Sequence, residues 1–147
     1  MLPETWGKYG WCFFHFVTMG YPDDPTEQDK IHYYEYIMSL KHVLPCEKCR
    51  NNLKNHLKKY PVTELALSSR ANLVKWGIDL HNIVNYYTGK EILSYTESLA
   101  ELNKIINPVK PTDADTTQTN YTIYIIVAIC VVVVFLWLFY RGPRVSQ

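Results

Sequence analysis

Cysteine is scarce in this chain, and its placement excludes more than its number does. Only Cys12, Cys46, Cys49 and Cys130 occur in 147 residues. A single close pair exists, so no second pair can complete a four-cysteine zinc site. Excess positive charge is missing too. Residues 1–106 hold 12 Lys/Arg and 12 Asp/Glu, which leaves a nucleic-acid role without general electrostatic support. No internal repeat and no useful stretch of strand periodicity is present. The amino terminus, MLPETWGKYG, lacks a basic start followed by an apolar core, so no cleavable signal peptide is expected.

One long apolar run stands out against these absences. Tyr121 to Tyr140 carries no charge over 20 residues. A helix of that length rises roughly 30 Å, the thickness of a bilayer core. Tyr121, Tyr124, Trp137 and Tyr140 lie toward its ends, where interfacial aromatics belong. A buried core helix is the competing reading, but no polar face is visible. Asn107 to Asn120 is polar, holds two prolines and reads as a linker. The expected layout is a folded domain over 1–106, a linker over 107–120, a transmembrane helix over 121–140 and a short tail over 141–147. It is that of a tail-anchored protein whose bundle faces the cytosol. Flanking charge does not fix the orientation, because Lys104 and Lys110 balance Arg141 and Arg144.

The folded part reads as helices punctuated by proline and glycine. A first helix runs from about Thr5 to Met19, through Trp6, Trp11, Phe14 and Phe16, and stops at Gly20-Tyr21-Pro22. Thr26 is a plausible N-cap for a second, running to about His42 with Ile31, Tyr34, Ile37 and Leu40 on one stripe. A third begins at or near Cys46, carries Leu53 and Leu57, and ends before Pro61. Ser68 or Ser69 caps a fourth, striped by Leu73, Trp76, Leu80, Val84 and Tyr87 and stopped by Gly89. Ser94 to Glu97 fits a capping box for a short fifth, carrying Leu99, Leu102 and Ile106. The expected class is all-α.

The chemistry centres on Pro45-Cys46-Glu47-Lys48-Cys49. At a helix start, the free amides and the macrodipole favour negative charge. Lys48 and Arg50 are adjacent, and Lys41 to Lys59 holds six basic residues against one acid, Glu47. This basic run is either an ordinary solvated face or a field that favours thiolate over thiol. Thiolate is the species that exchanges with disulfides. Competing readings are a zinc half-site completed by His42 and His56, an inert structural disulfide, or a thioredoxin-like centre. The last requires a strand before the motif.

Two further groups are weaker alone. Trp11 and His15 lie four apart on the first helix, as His81 and Asn85 do on the fourth, with Asn82 between. Each could be satisfied core or exposed edge. Together and in order, three motifs resemble the Erv/ALR family of FAD-linked sulfhydryl oxidases: Gly7-Lys8, Trp11 and His15; Pro45-Cys46 and Cys49; Trp76, His81-Asn82, Val84-Asn85 and Gly89-Lys90. Tyr21 to Thr26 also matches the family's loop. The likeness covers about residues 5–95.

The resemblance implies a four-helix bundle with a short fifth helix that binds FAD without a covalent bond and forms a homodimer. It implies cofactor contacts from Gly7, Lys8, Trp11, His15, His81, Asn82, Val84, Asn85 and Lys90, and no metal. Cys46 would face outward and exchange with dithiol protein substrates or a thioredoxin-like shuttle. Cys49 would hand two electrons to the flavin, and molecular oxygen would become hydrogen peroxide. A family staple on the fourth helix is missing, since Ile78 occupies that position, and so is a separate shuttle pair. Cys12 reads as core packing and Cys130 as an inert apolar residue. The compact, shuttle-free form resembles versions from large cytoplasmic DNA viruses, where it would serve virion assembly. The rival is a membrane-anchored helical adaptor whose Cys-x-x-Cys binds zinc or exchanges thiols without flavin.

Overall fold

The computed structural model describes residues 1–108 and 113–141, with the backbone alone for 113–120 and 139. Every regular element among the described residues is helical: α1 (Pro3–Met19), α2 (Glu27–Val43), α3 (Glu47–Lys59), a 3-10 turn (Ala66–Ser68), α4 (Arg70–Thr88), α5 (Tyr95–Ile106) and α6 (Asp113–Tyr140). The chain divides into two units, Met1–Ile106 and Asn107–Gln147.

The helix ends follow local chemistry. Thr26 caps α2 in a full capping box with Asp29, and Ser69 caps α4 through the Asn72 amide. Ser94 and Glu97 exchange backbone-to-side-chain bonds at the head of α5. Gly89 ends α4 at φ 67°, a left-handed conformation that glycine adopts without a Cβ clash. α1 starts at Pro3 rather than Thr5, since proline suits the first turn, where its missing N–H has no partner to lose.

In the first unit α1–α4 form a four-helix bundle and α5 packs on α4. Its core joins Phe14, Tyr21, Ile37, Leu53, Leu57, Leu73, Trp76 and Leu80. α1 approaches α4 closely because position 77 is glycine. A Cβ there would stand 3.2 Å from the Phe14 ring and 3.4 Å from Thr18. Ile78 is buried at 2% exposure, an apolar contact where a cysteine staple could stand. The stripe of α2 differs from expectation. Tyr33, Ile37, Leu40 and Leu44 turn to the core, while Ile31 and Tyr34 are exposed. The 33/37/40/44 spacing is an equally good helical stripe, and α3 and the 3-10 turn select it.

Two tethers hold the link between α1 and α2 to the start of α4. The Tyr21 hydroxyl donates to Leu67 O at 2.8 Å. Arg70 Nε donates to Tyr21 O, and its guanidinium pairs with Asp23 at 2.9 Å.

In the second unit, α6 begins at Asp113, inside the stretch expected to be linker. Acidic Asp113 and Asp115 suit a helix start, no proline lies between Pro111 and the end of α6, and an established apolar helix propagates backward readily. Residues 109–112 of that linker and 142–147 of the tail lie outside the described residues. Tyr121–Leu138 is long and apolar enough to cross a membrane. The Arg141 guanidinium stacks over the Trp137 ring at 4.3 Å.

Candidate functional site

Cys46 and Cys49 are joined as a disulfide, with their Cα atoms 5.1 Å apart. Cys46 is the N-cap of α3, and its Sγ accepts the Cys49 amide at 3.2 Å. The sulfur therefore lies where the open amides and the positive end of the helix meet. Arg50 folds back to donate to Leu44 O and pins the residues that lead into the motif. Exposure runs opposite to an outward Cys46: that residue is 9% exposed, whereas Cys49 is half-buried. His42 is exposed and His56 buried. No cluster of three His, Cys, Asp or Glu that could hold a metal occurs among the described residues.

A second group forms where α1 crosses α4. Trp11 lies flat on His81, with ring centroids 4.0 Å apart and planes 10° from parallel. His15 Nε2 and His81 Nδ1 share a hydrogen bond of 2.9 Å. The sequence separation is 66 residues, so only the fold could reveal the pair. Burial lowers the pKa of both rings to about 4, and the neighbouring His15 and Lys90 charges add to the effect on His81. Both rings are thus neutral near pH 7, and one shared proton fits between them.

His15 Nδ1 is buried and has no partner, and the same holds for Trp6 Nε1 on the same helix. Buried polar atoms without partners are uncommon and point to a missing group. A flat aromatic surface beside an unsatisfied ring nitrogen suits a planar, polar-edged ligand such as a flavin nucleotide. Gly7 has open space where a Cβ would project, which leaves room for such a group beside α1. Lys8 is exposed. Val84 and Asn85 are half-buried on α4, and Lys90 is exposed just beyond its end.

Asn82 behaves differently from the other nominated residues. Its Nδ2 donates to Leu93 O at 2.7 Å, and its Oδ1 accepts Leu93 N–H at 3.3 Å. The amide thus clamps the segment after α4, which carries Lys90.

Sequence reasoning missed a cleft of about 530 Å³ on the other side of α4, lined in part by His56, Tyr60, Asp79, Tyr86 and Tyr87. The Tyr60 hydroxyl donates to Asp79 at 3.1 Å, Lys75 pairs with Asp79 at 2.6 Å, and Lys59 lies 5.9 Å over Tyr87. Burial, then the Asp79 charge and hydrogen bond, push the Tyr60 pKa up to about 12. The i, i+3, i+7 series Asp79, Asn82, Tyr86 is a readable signal for this face.

The sequence profile of the Erv1 / Alr family matches residues 8–105. A probable FAD-linked sulfhydryl oxidase of Acanthamoeba polyphaga mimivirus is 56% identical over 110 residues, covering 75% of this chain and 77% of that protein. The FAD-linked sulfhydryl oxidase ERV2 of Saccharomyces cerevisiae is 33% identical over 86 residues, 58% of this chain but only 42% of the yeast protein. The crystal structure of the FAD binding domain of Erv1 from the same yeast superposes with a TM-score of 0.59 at 26% identity, covering 64% of this chain and 87% of that one. The matched span runs from the first helix of the bundle through α5 and encloses both the disulfide and the ring group, so the chain belongs to the Erv1 / Alr family.

Proposed function

We propose that the chain is an FAD-dependent thiol oxidase that makes disulfides in dithiol protein substrates. The observation that carries this reading is the Cys46–Cys49 disulfide, held at a helix N-terminus whose amide already bonds to Cys46 Sγ. A substrate thiolate attacks Cys46 Sγ and breaks the Cys46–Cys49 bond, giving a mixed disulfide and a Cys49 thiolate. A second substrate thiolate attacks the substrate sulfur of that mixed disulfide. The substrate leaves oxidised, and Cys46 leaves as thiolate. Leaving groups depart faster as their thiolate is better stabilised. The Cys49 amide and the open first turn of α3 favour Cys46 as the thiolate that leaves in this second exchange.

FAD, when bound, supplies the two-electron chemistry that restores the Cys46–Cys49 disulfide and delivers the electrons to oxygen as hydrogen peroxide. Trp11, His15 and His81 would hold it by stacking and by the unpartnered His15 nitrogen, with Gly7, Lys8, Val84, Asn85 and Lys90 around them. Asn82 serves by fixing the segment that carries Lys90. Neutral histidines leave this region uncharged, so the positive field is confined to the lysines.

Exposed Tyr9, Phe13 and Phe16 on one face of α1, and Ile31 and Tyr34 on α2, support a homodimer through those helices. Proposed likewise are a bilayer span by α6, with the bundle on the cytosolic side, and a viral origin. The likeness to the mimivirus protein supports the viral reading. The test is direct. The purified chain should show a flavin absorption band and should consume oxygen when given dithiothreitol. A colourless protein that holds stoichiometric zinc and consumes no oxygen would establish the adaptor instead.

A further inference from the structure

The solvent face of α3 is made of lysine and asparagine. Lys48, Asn51, Asn52, Lys54, Asn55, Lys58 and Lys59 are all exposed. Glu47, in the first turn, is the sole acid of the helix. Four ion pairs occur among the described residues, and none involves α3. Lys48, Lys54 and Lys58 therefore face water without a counter-charge, while the unit as a whole is neutral. Concentrating charge in this way has a cost in mutual repulsion, and an evenly mixed surface would avoid it.

The place of this face sets its use. It belongs to the helix that the redox disulfide caps. At 1.5 Å per residue, Lys54 stands about 8 Å and Lys58 about 14 Å along the axis from Cys49. The first separation equals the ~8 Å screening length at physiological salt, and the second is nearly twice it. Lys54 and Lys58 lie around the helix from Cys49, so their field reaches a molecule at the disulfide chiefly at low ionic strength, where the screening length grows to about 30 Å. The whole helix is about 20 Å long, which matches roughly six extended residues of a peptide.

We infer that the lysine face of α3 selects dithiol protein segments whose cysteines are flanked by acidic residues. The inference rests on the thiol-oxidase reading. It names the substrate class by charge, with the field of Lys48, Lys54 and Lys58 drawing in segments that carry Asp and Glu near the reacting sulfur. Complementary charge acts mainly on encounter, so the effect belongs in kcat/KM and should fade with salt.

The experiment uses the full chain in neutral detergent and three substrates: dithiothreitol, a Cys-x-x-Cys peptide flanked by glutamates, and the same peptide flanked by lysines. Oxygen consumption with dithiothreitol tests the oxidase reading by itself. Given that activity, the acidic peptide should exceed the basic one about tenfold in kcat/KM at low ionic strength. The ratio should shrink toward one as salt rises. In the Lys54→Glu/Lys58→Glu variant it should invert while turnover of dithiothreitol stays unchanged. The salt series on the unaltered protein needs no variant to fold. Equal rates for the two peptides at low salt would overturn the inference and leave the oxidase standing. It would also be overturned if the variant lost binding to anionic phosphatidylserine vesicles but kept its peptide preference, since the face would then serve a membrane.

Discussion

At the scale of single residues, the two cysteines have unlike tasks that can be separated. Cys46→Ser and Cys49→Ser should each abolish dithiol oxidation while FAD stays bound, because neither residue belongs to the Trp11–His15–His81 group. They should differ in what they trap. Cys49→Ser retains Cys46, whose thiolate should displace thionitrobenzoate from a peptide cysteine activated as its thionitrobenzoate disulfide, and the resulting mixed disulfide should accumulate on a non-reducing gel; Cys46→Ser should not form it. The reverse pattern would move the point of attack to Cys49, the more exposed residue. The histidines yield a pH prediction with a definite sign. Burial depresses both folded-state pKa values from 6.5 to about 4. The unfolded chain thus binds protons more readily between those limits, and stability falls as pH drops from about 6.5 toward 4. Between pH 7 and pH 5 one such ring contributes about 2 kcal/mol of lost stability. His56 is shifted in the same direction by burial and by Lys59. Melting temperatures should fall across that window, and the fall should be smaller in a His15→Gln/His81→Gln variant. An equal fall in both proteins would mean that the pair does not titrate as its burial demands.

At the scale of elements, the clamp between α4 and the segment that follows is the most specific device in the bundle. Asn82→Ala would leave Leu93 N–H and C=O without their partner, at a cost of about 1–3 kcal/mol where those groups stay shielded from water. The melting temperature should drop and limited proteolysis should cut between Gly89 and Tyr95. Asn82→Asp keeps only the acceptor and should fall between the two. A variant that melts like the unaltered protein and resists cleavage would show that Ser94 and Leu102 hold α5 alone. Most element boundaries were legible in the chain, because Thr26, Ser69, Gly89 and the Ser94–Glu97 pair act through neighbours three or four residues away. The facing of α2 was not legible. Two apolar stripes coexist on it, and only the packing of other helices decides between Tyr34 and Tyr33. The start of α6 was hidden for a related reason: polar residues without proline can extend a helix whose stability comes from its apolar part. Nor could local spacing disclose the His15–His81 bond. The ordered motifs nominated both rings, but the contact exists because Gly77 lets α1 close on α4. The hydrogen bonds from Asn82 to Leu93 were not legible either, since a polar residue beside a buried stripe announces that it needs a partner without saying which.

At the scale of the whole molecule, the proposed chemistry and the proposed membrane span fall in different units. All nominated site residues lie within Met1–Ile106. A chain ending at Asn107 should remain soluble, retain FAD and oxidise dithiothreitol at the rate of the full chain; loss of flavin would place part of the cofactor site beyond α5. Orientation is the remaining question. If α6 spans a bilayer with the bundle outside sealed microsomes, the disulfide works among reduced thiols, where disulfides seldom persist unless they are continually remade. The Cys46–Cys49 pair can persist there only by being reoxidised through the cofactor as fast as it is reduced. Two measurements therefore belong together. Protease added to intact microsomes should digest Met1–Ile106 and leave α6 protected. Thiol alkylation in the same microsomes should find the pair largely oxidised with oxygen present and largely reduced after anaerobic incubation. A protected bundle would reverse the topology. A pair that stays oxidised without oxygen, on a digestible bundle, would show instead that the disulfide is structural and takes no part in electron transfer.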